Sequence, residues 1–184
     1  LTSFLQKRKV MLEDILDNSR GQHGIKQTFS LRELIEDICS HFRTETELGK
    51  IKVDTNYGAL PKVSMDKIRL FEAISNIYQN AIKSFEGVPK NRDRYISIST
   101  YIDSKFDDYC IQITDNGVGI DRDFSLEIFN EGVSGFKQSE GTGQGLFYSK
   151  SIIDAFSGDI DLATSVGAGS TFTIRFPRDL FEDK

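Results

Sequence analysis

Four short stretches of this chain hold residues whose types and spacing could do chemistry. The first is Asp115-Asn116-Gly117-Val118-Gly119-Ile120, behind a run in which Ile111 and Ile113 alternate with polar neighbours. That alternation marks a half-buried strand, and Asp115 shares the isoleucines' parity, so its carboxylate should point to the same inner face. An ionised carboxylate only accepts hydrogen bonds, so it suits an amino donor and repels a carbonyl oxygen. Adenine carries an amino group where guanine carries an oxygen. Gly117 and Gly119 would let the backbone turn tightly and approach a flat ligand. Taken alone, Asp-Asn-Gly is equally ordinary turn chemistry.

The second stretch is a helix from about Asp66 to Phe85. Leu70, Ile74, Ile77, Ala81 and Phe85 follow core spacing, while Glu72, Asn76, Asn80 and Lys83 fall on another face. Asparagine is a poor helix former, and two of them one turn apart ask for a reason. One reading is a solvated face. The other is a row of oxygen and ammonium groups aimed at phosphates and a metal. Magnesium prefers oxygen ligands and takes only one or two from protein; Asn80 offers such an oxygen and Lys83 a point charge.

The third stretch, Gly141-Thr142-Gly143-Gln144-Gly145-Leu146, lies where a helix begins. Unpaired backbone N–H groups and the helix dipole make such a terminus attractive to anions. It does not follow a strand in a βαβ unit and lacks the Gly-Lys-Ser/Thr ending of a P-loop, which disfavours both common nucleotide folds. The fourth stretch, Gly167-Ala168-Gly169-Ser170-Thr171-Phe172, opens the last strand and by itself is an ordinary hairpin turn. Between the first and third, the Gly- and Ser-rich run Asn130 to Glu140 reads as a loop, either plain surface or a cover over a ligand.

Several elements must position these groups. An amphipathic helix is expected from Leu1 to about Asp17 and a linker from Asn18 to Gln27. A capping box at Ser30 to Glu33 opens a helix marked by Leu31, Leu34, Ile35, Ile38 and Phe42 and closed by Gly49. Strands follow at Ile51–Val53, Tyr95–Ile102 and Tyr109–Thr114. A further helix runs from about Gly143 to Ser157, before strands near Asp159–Thr164 and Ser170–Phe176. Helices and strands mix without a repeating strand–helix rhythm, which predicts an α+β two-layer sandwich.

The composition agrees with an ordinary globular protein: 184 residues, 38% hydrophobic and 28% charged. A net charge of −5 gives no general reason to expect nucleic-acid binding. Cys39 and Cys110 are far apart and read as reduced thiols, and with His23 and His41 scattered no His/Cys metal site is expected. No apolar run reaches the roughly 20 residues that span a bilayer.

Taken together, the four stretches resemble the catalytic ATP-binding domain of sensor histidine kinases, in the GHKL superfamily shared with gyrase, Hsp90 and MutL. The resemblance covers about Phe29 to Pro177. It implies the Bergerat fold, a mixed and mostly antiparallel sheet backed by helices, with ATP between a helix and a lid. It implies that Asn80 binds magnesium, that Asn76 lies one turn earlier on the same wall, and that Lys83 contacts phosphate. Asp115 then reads the adenine amino group, aided by a water held at Thr171. Gly117, Gly119 and Ile120 border the adenine, and Gly141, Thr142, Gly143, Gly145 and Leu146 border the phosphates. Ile128 to Gly132 resembles the family's Phe-containing box and Glu131 to Glu140 its lid, in which Lys137 stands near the γ-phosphate. The lid's Ser134-Gly135-Phe136-Lys137 departs from the Thr-Thr-Lys common in the nitrogen-regulator type.

Water-using relatives place a Glu where this chain has Asn76, and an amide is no general base at neutral pH. Phosphoryl transfer to a protein side chain is therefore expected rather than efficient hydrolysis. Neither His23 nor His41 resembles the phosphoacceptor box, so no residue of the chain is assigned a catalytic role. The resemblance implies residues 1–27 to be the end of a dimerisation helix plus linker, and 28–184 the catalytic ATP-binding domain. It further implies a cytoplasmic, homodimeric parent, with partners in its histidine-bearing dimerisation domain and a response-regulator receiver domain. Two rival readings are a protein-serine kinase of the anti-sigma type, and a degenerate domain that only docks partners.

Overall fold

The computed structural model describes residues 25–89, 91–133 and 144–178. The helix expected over Leu1 to Asp17, most of the linker, and the segment bearing Lys137, Gly141, Thr142 and Gly143 lie outside the described residues. In chain order the elements are β1 (Gln27–Phe29), α1 (Leu31–His41), α2 (Arg43–Leu48), β2 (Ile51–Tyr57), β3 (Val63–Met65) and α3 (Lys67–Lys83). Then come β4 (Arg94–Asp103), β5 (Asp108–Asp115), α4 (Arg122–Ser125), α5 (Gly145–Ala155), β6 (Asp159–Ser165) and β7 (Gly169–Pro177).

Five strands form one sheet in the order β2-β4-β5-β7-β6. β2 pairs with β4 in parallel and the other neighbours are antiparallel. This is the mixed, mostly antiparallel sheet expected. Period-2 alternation builds one apolar face from rows that cross the sheet. One row aligns Thr100, Ile111, Ile174 and Ile160; the next aligns Ile98, Ile113, Phe172 and Leu162. Against this face lie the apolar stripes of the helices: Leu31, Leu34, Ile35 and Ile38 of α1, Leu70, Ile74, Ile77 and Ala81 of α3, and Ile152 and Ile153 of α5. The third row runs Ile96, Asp115, Ser170 and Thr164. There the apolar face ends and a polar one begins.

α3 starts where Asp66 caps it, accepting from the N–H groups of Ile68 and Arg69 at 3.0 and 3.2 Å. Ser30 stands at the N-cap of α1, yet its side chain accepts nothing from the first turn, so the expected capping box is not closed. The helix expected to continue to Gly49 breaks at Phe42, and α2 carries the chain to Gly49 instead. Beyond Phe42 the sequence has no apolar stripe to hold one straight helix on the core; Leu48 is 81% exposed. The end of the expected linker also differs, because Gln27 to Phe29 pair antiparallel with Val63 to Met65 and bury Phe29, Val63 and Met65.

Ile111 is fully buried on the central strand. Ile111→Ala is expected to cost about 2–5 kcal/mol in urea unfolding, from lost burial plus the cavity left behind. A loss below about 0.5 kcal/mol would show that this row does not hold the two layers together.

Candidate functional site

Asp115 ends β5 in the polar row with only 4% of its surface exposed. The Gly117 N–H and the Ser84 hydroxyl both reach its Oδ1, each at 2.8 Å. Ser84 follows the last residue of α3, so the carboxylate joins the sheet to that helix. The turn behind Asp115 is pressed close. A Cβ on Gly117 would fall 2.0 Å from Ser84 Oγ, and the Val118 N–H donates to the Ser84 carbonyl at 2.9 Å. Gly169, at φ +101°, brings β7 so near that a Cβ there would lie 2.0 Å from the Asp115 carbonyl oxygen. Glycine is required at both positions by contact with backbone or a buried side chain.

Burial pushes the Asp115 carboxyl above the ordinary carboxylate range. The Gly117 N–H, the Ser84 hydroxyl and the Ser170 backbone N–H oppose the rise by stabilising the charged form. Along the same row, Thr164 Oγ1 stands 3.0 Å from Ser170 Oγ and accepts from the Ile120 N–H at 2.9 Å. The loop Gly117 to Ile120 is thus fastened at one end to α3 and at the other to β6. Ile120 packs on the edge of the core.

The second half of the site lies along α3. Asn76, Asn80 and Lys83 are all half-buried, and the Ser84 N–H donates to the Asn80 carbonyl at 2.9 Å. Gly145 opens α5 directly against Asn76: a Cβ on it would lie 3.7 Å from the Asn76 amide. α5 is tied to α3 by the buried Ser149 hydroxyl, 2.9 Å from the Ala73 carbonyl. Leu146 packs against the core behind this junction. The start of α5 therefore faces the Asn76 amide, one turn before Asn80 on α3. Phe129, beside the buried Ile128, packs edge-on to Phe172 at 6.4 Å between ring centres.

One expected residue is misplaced. Thr171 pairs with Thr114, its hydroxyl 3.0 Å from that of Thr114 on the face opposite Asp115. Ser170 is the residue opposite Asp115, because paired residues share a face and successive ones alternate. Ser84 and Thr164 were also not anticipated. Each was readable: Ser84 continues the four-residue step from Asn76 and Asn80, and Thr164 shares the parity of Ile160 and Leu162.

The raised Asp115 value has a sign consequence. Between the unfolded and folded values the native state keeps a proton that the unfolded chain releases. This contribution is complete below the unfolded value and is lost as pH rises through the folded one. Asp115→Asn is therefore expected to match or exceed the wild type in stability at neutral pH, with the difference shrinking in acid. Thermal melts across pH check this; a variant markedly less stable at neutral pH would contradict it.

Residues 65–180 match the family model described as histidine kinase-, DNA gyrase B-, and HSP90-like ATPase. The chain is 31% identical over 168 residues to the signal transduction histidine-protein kinase AtoS of Escherichia coli K12, covering 91% of this chain and 26% of that kinase. It is 29% identical over 180 residues to sporulation kinase B of Bacillus subtilis, covering 97% of this chain and 40% of that protein. The chain thus spans well under half the length of these curated relatives. Among solved structures, full-length ShkA in complex with AMPPNP superposes with a TM-score of 0.72 at 18% identity, over 85% of this chain and 32% of that one. The catalytic domain of the histidine kinase ThkA gives 0.67 at 23% identity, over 83% of this chain and 95% of that one. The fold is that of histidine kinase catalytic domains. The chain belongs to the histidine kinase-, DNA gyrase B- and HSP90-like ATPase family, as an ATP-binding catalytic domain of the histidine-kinase kind.

Proposed function

We propose that the chain binds Mg·ATP and presents its γ-phosphoryl to a histidine on the dimerisation domain of its parent kinase. The observation that carries this reading is the placement of Asp115: a buried carboxylate, one oxygen occupied by two protein donors, at the edge of an apolar face. Its other oxygen is suited to the adenine 6-amino group and would repel the guanine carbonyl. Gly117, Gly119 and Ile120 border the base, with Ser170 on the Asp115 face. The phosphates then run along α3 toward Lys83 and the α5 start at Gly145, and the resemblance assigns Lys137, Gly141, Thr142 and Gly143 to them as well. The AMPPNP found on ShkA supports a triphosphate in this fold.

Magnesium fits the donors available. Among the described residues no three His, Cys, Asp or Glu side chains gather to hold a metal. An ion bound by phosphate oxygens, water and one amide oxygen matches the Asn80 side chain. When bound, it would offset charge on the transferring phosphoryl group. The chain's own part is positioning and exclusion of water: α3 aligns the phosphates and Asp115 fixes the base. Asn76 offers no general base. Glu72, a turn before it, is half-buried with its carboxyl pushed up by burial and then by Asp66. It stands a full turn from the position that water-activating relatives use. The incoming imidazole nitrogen would attack phosphorus while the bond to the ADP oxygen breaks.

The parent is proposed to be a homodimer that relays the phosphoryl group to a receiver domain. No helix among the described residues is long and apolar enough to cross a membrane. The site would face the cytosol, where ATP resides.

Calorimetry with Mg·ATP, Mg·ADP and Mg·GTP tests the binding step. Adenine nucleotides should bind, Mg·GTP at least about tenfold more weakly, and Asp115→Asn should lose at least about tenfold in ATP affinity. Asn80→Ala should remove most of the magnesium dependence. In phosphotransfer assays the chain alone should stay unlabelled and should label a separately supplied dimerisation domain on histidine. Phosphohistidine at His23 or His41, or no adenine-nucleotide binding, would overturn the proposal.

A further inference from the structure

Ser84 touches Asp115, the turn at Gly117 and Val118, and the Asn80 turn of α3. Its hydroxyl lies 2.8 Å from Asp115 Oδ1, its carbonyl accepts from the Val118 N–H at 2.9 Å, and its own N–H reaches Asn80 at 2.9 Å. Its side chain fills the space that a Cβ on Gly117 would need. Ser84 is itself buried, with 8% of its surface exposed, which strengthens these bonds. The hydroxyl has one hydrogen and two acceptors in reach, Asp115 Oδ1 and the Ala81 carbonyl at 2.7 Å. A charged carboxylate is the stronger acceptor, so an ionised Asp115 draws the hydrogen to itself. With Gly117 N–H on the same oxygen, Oδ1 is taken and the carboxylate is held from turning. Oδ2 takes neither of these two donors and is the oxygen that can accept from a ligand.

We propose that Ser84 is a specificity-determining positioning residue: by holding Asp115 Oδ1 it sets Oδ2 to accept from the 6-amino group of an adenine nucleotide. The proposal rests on the reading of this site as an ATP site. Ser84 touches no substrate in this account and acts through Asp115. Its position directly after α3 also joins the base-reading loop to the turn that carries Asn80. Losing the hydroxyl frees the carboxylate to rotate and leaves it one donor fewer inside a buried site.

The test separates a role through the 6-amino group from general packing. Binding of Mg·ATP and of the triphosphate of purine riboside, which lacks that amino group, is measured for wild type, Ser84→Ala and the shape-matched pair Ser84→Thr and Ser84→Val. Ser84→Ala and Ser84→Val should lose about fivefold to tenfold in affinity for Mg·ATP while leaving the purine riboside nucleotide nearly unchanged; Ser84→Thr, which keeps the hydroxyl, should retain the wild-type preference. In an Asp115→Asn background, Ser84→Ala should add little further loss, because the two act as a unit. The Thr and Val pair decides the matter if the alanine variant does not fold. Equal loss for both nucleotides, full retention of the ATP preference without the hydroxyl, or additive losses with Asp115→Asn would overturn the proposal. A wild type that binds neither nucleotide would overturn the ATP-site reading instead, a distinguishable failure.

Discussion

A buried carboxylate that among the described residues meets no opposite charge is the constraint around which this corner of the molecule is arranged. Taking Asp115 out of water disfavours its charged form, and among the described residues what offsets this is three hydrogen-bond donors rather than a cation. Those donors come from three places: the turn after β5, the end of α3 and the start of β7. Each can reach only if backbones approach more closely than a Cβ allows, which is why Gly117 and Gly169 stand where they do. A lysine or arginine beside Asp115 would have been a simpler remedy, but it would also have occupied the oxygen a ligand needs. The arrangement gives up some stability to keep one acceptor available.

α3 is the element that makes the rest coherent. One side of it supplies Leu70, Ile74, Ile77 and Ala81 to the core, so its position is fixed by burial. Another side carries Asn76, Asn80 and Ser84 in successive turns toward α5 and the adenine loop. A helix that is anchored by its apolar stripe can hold polar groups at a fixed spacing without hydrogen bonds between them. The spacing from Asn76 to Ser84 is thereby set by helix rise, and the Ser84 hydroxyl ties that row to Asp115 on β5 at 2.8 Å.

Much of this was legible in the sequence because it depends on periodicity. The parity of Ile111, Ile113 and Asp115 placed the carboxylate inward, and the two faces of α3 emerged from spacing alone. The error at Thr171 has a definite source. Ser170-Thr171 offers two adjacent hydroxyls, and only the inward parity of Phe172, Ile174 and Phe176 shows which one faces Asp115. β1 and β3 have three residues each, too few for an alternation to register, and their pairing is long-range. The break at Phe42 likewise follows from tertiary burial: the local sequence continues with residues that tolerate a helix. Ser84 escaped notice because a serine after a helix is a common C-terminal residue, and its bond to Asp115 spans 31 positions.

The central claim is that Asp115 recognises the base directly through its carboxylate. The most direct measurement follows the carboxyl carbon of Asp115 by ¹³C NMR while Mg·ADP or Mg·GDP is added at neutral pH. The account predicts a distinct bound-state shift with the adenine nucleotide that the guanine nucleotide does not reproduce. A carboxyl resonance that stays unmoved while Mg·ADP binds, or moves identically with both nucleotides, would contradict it.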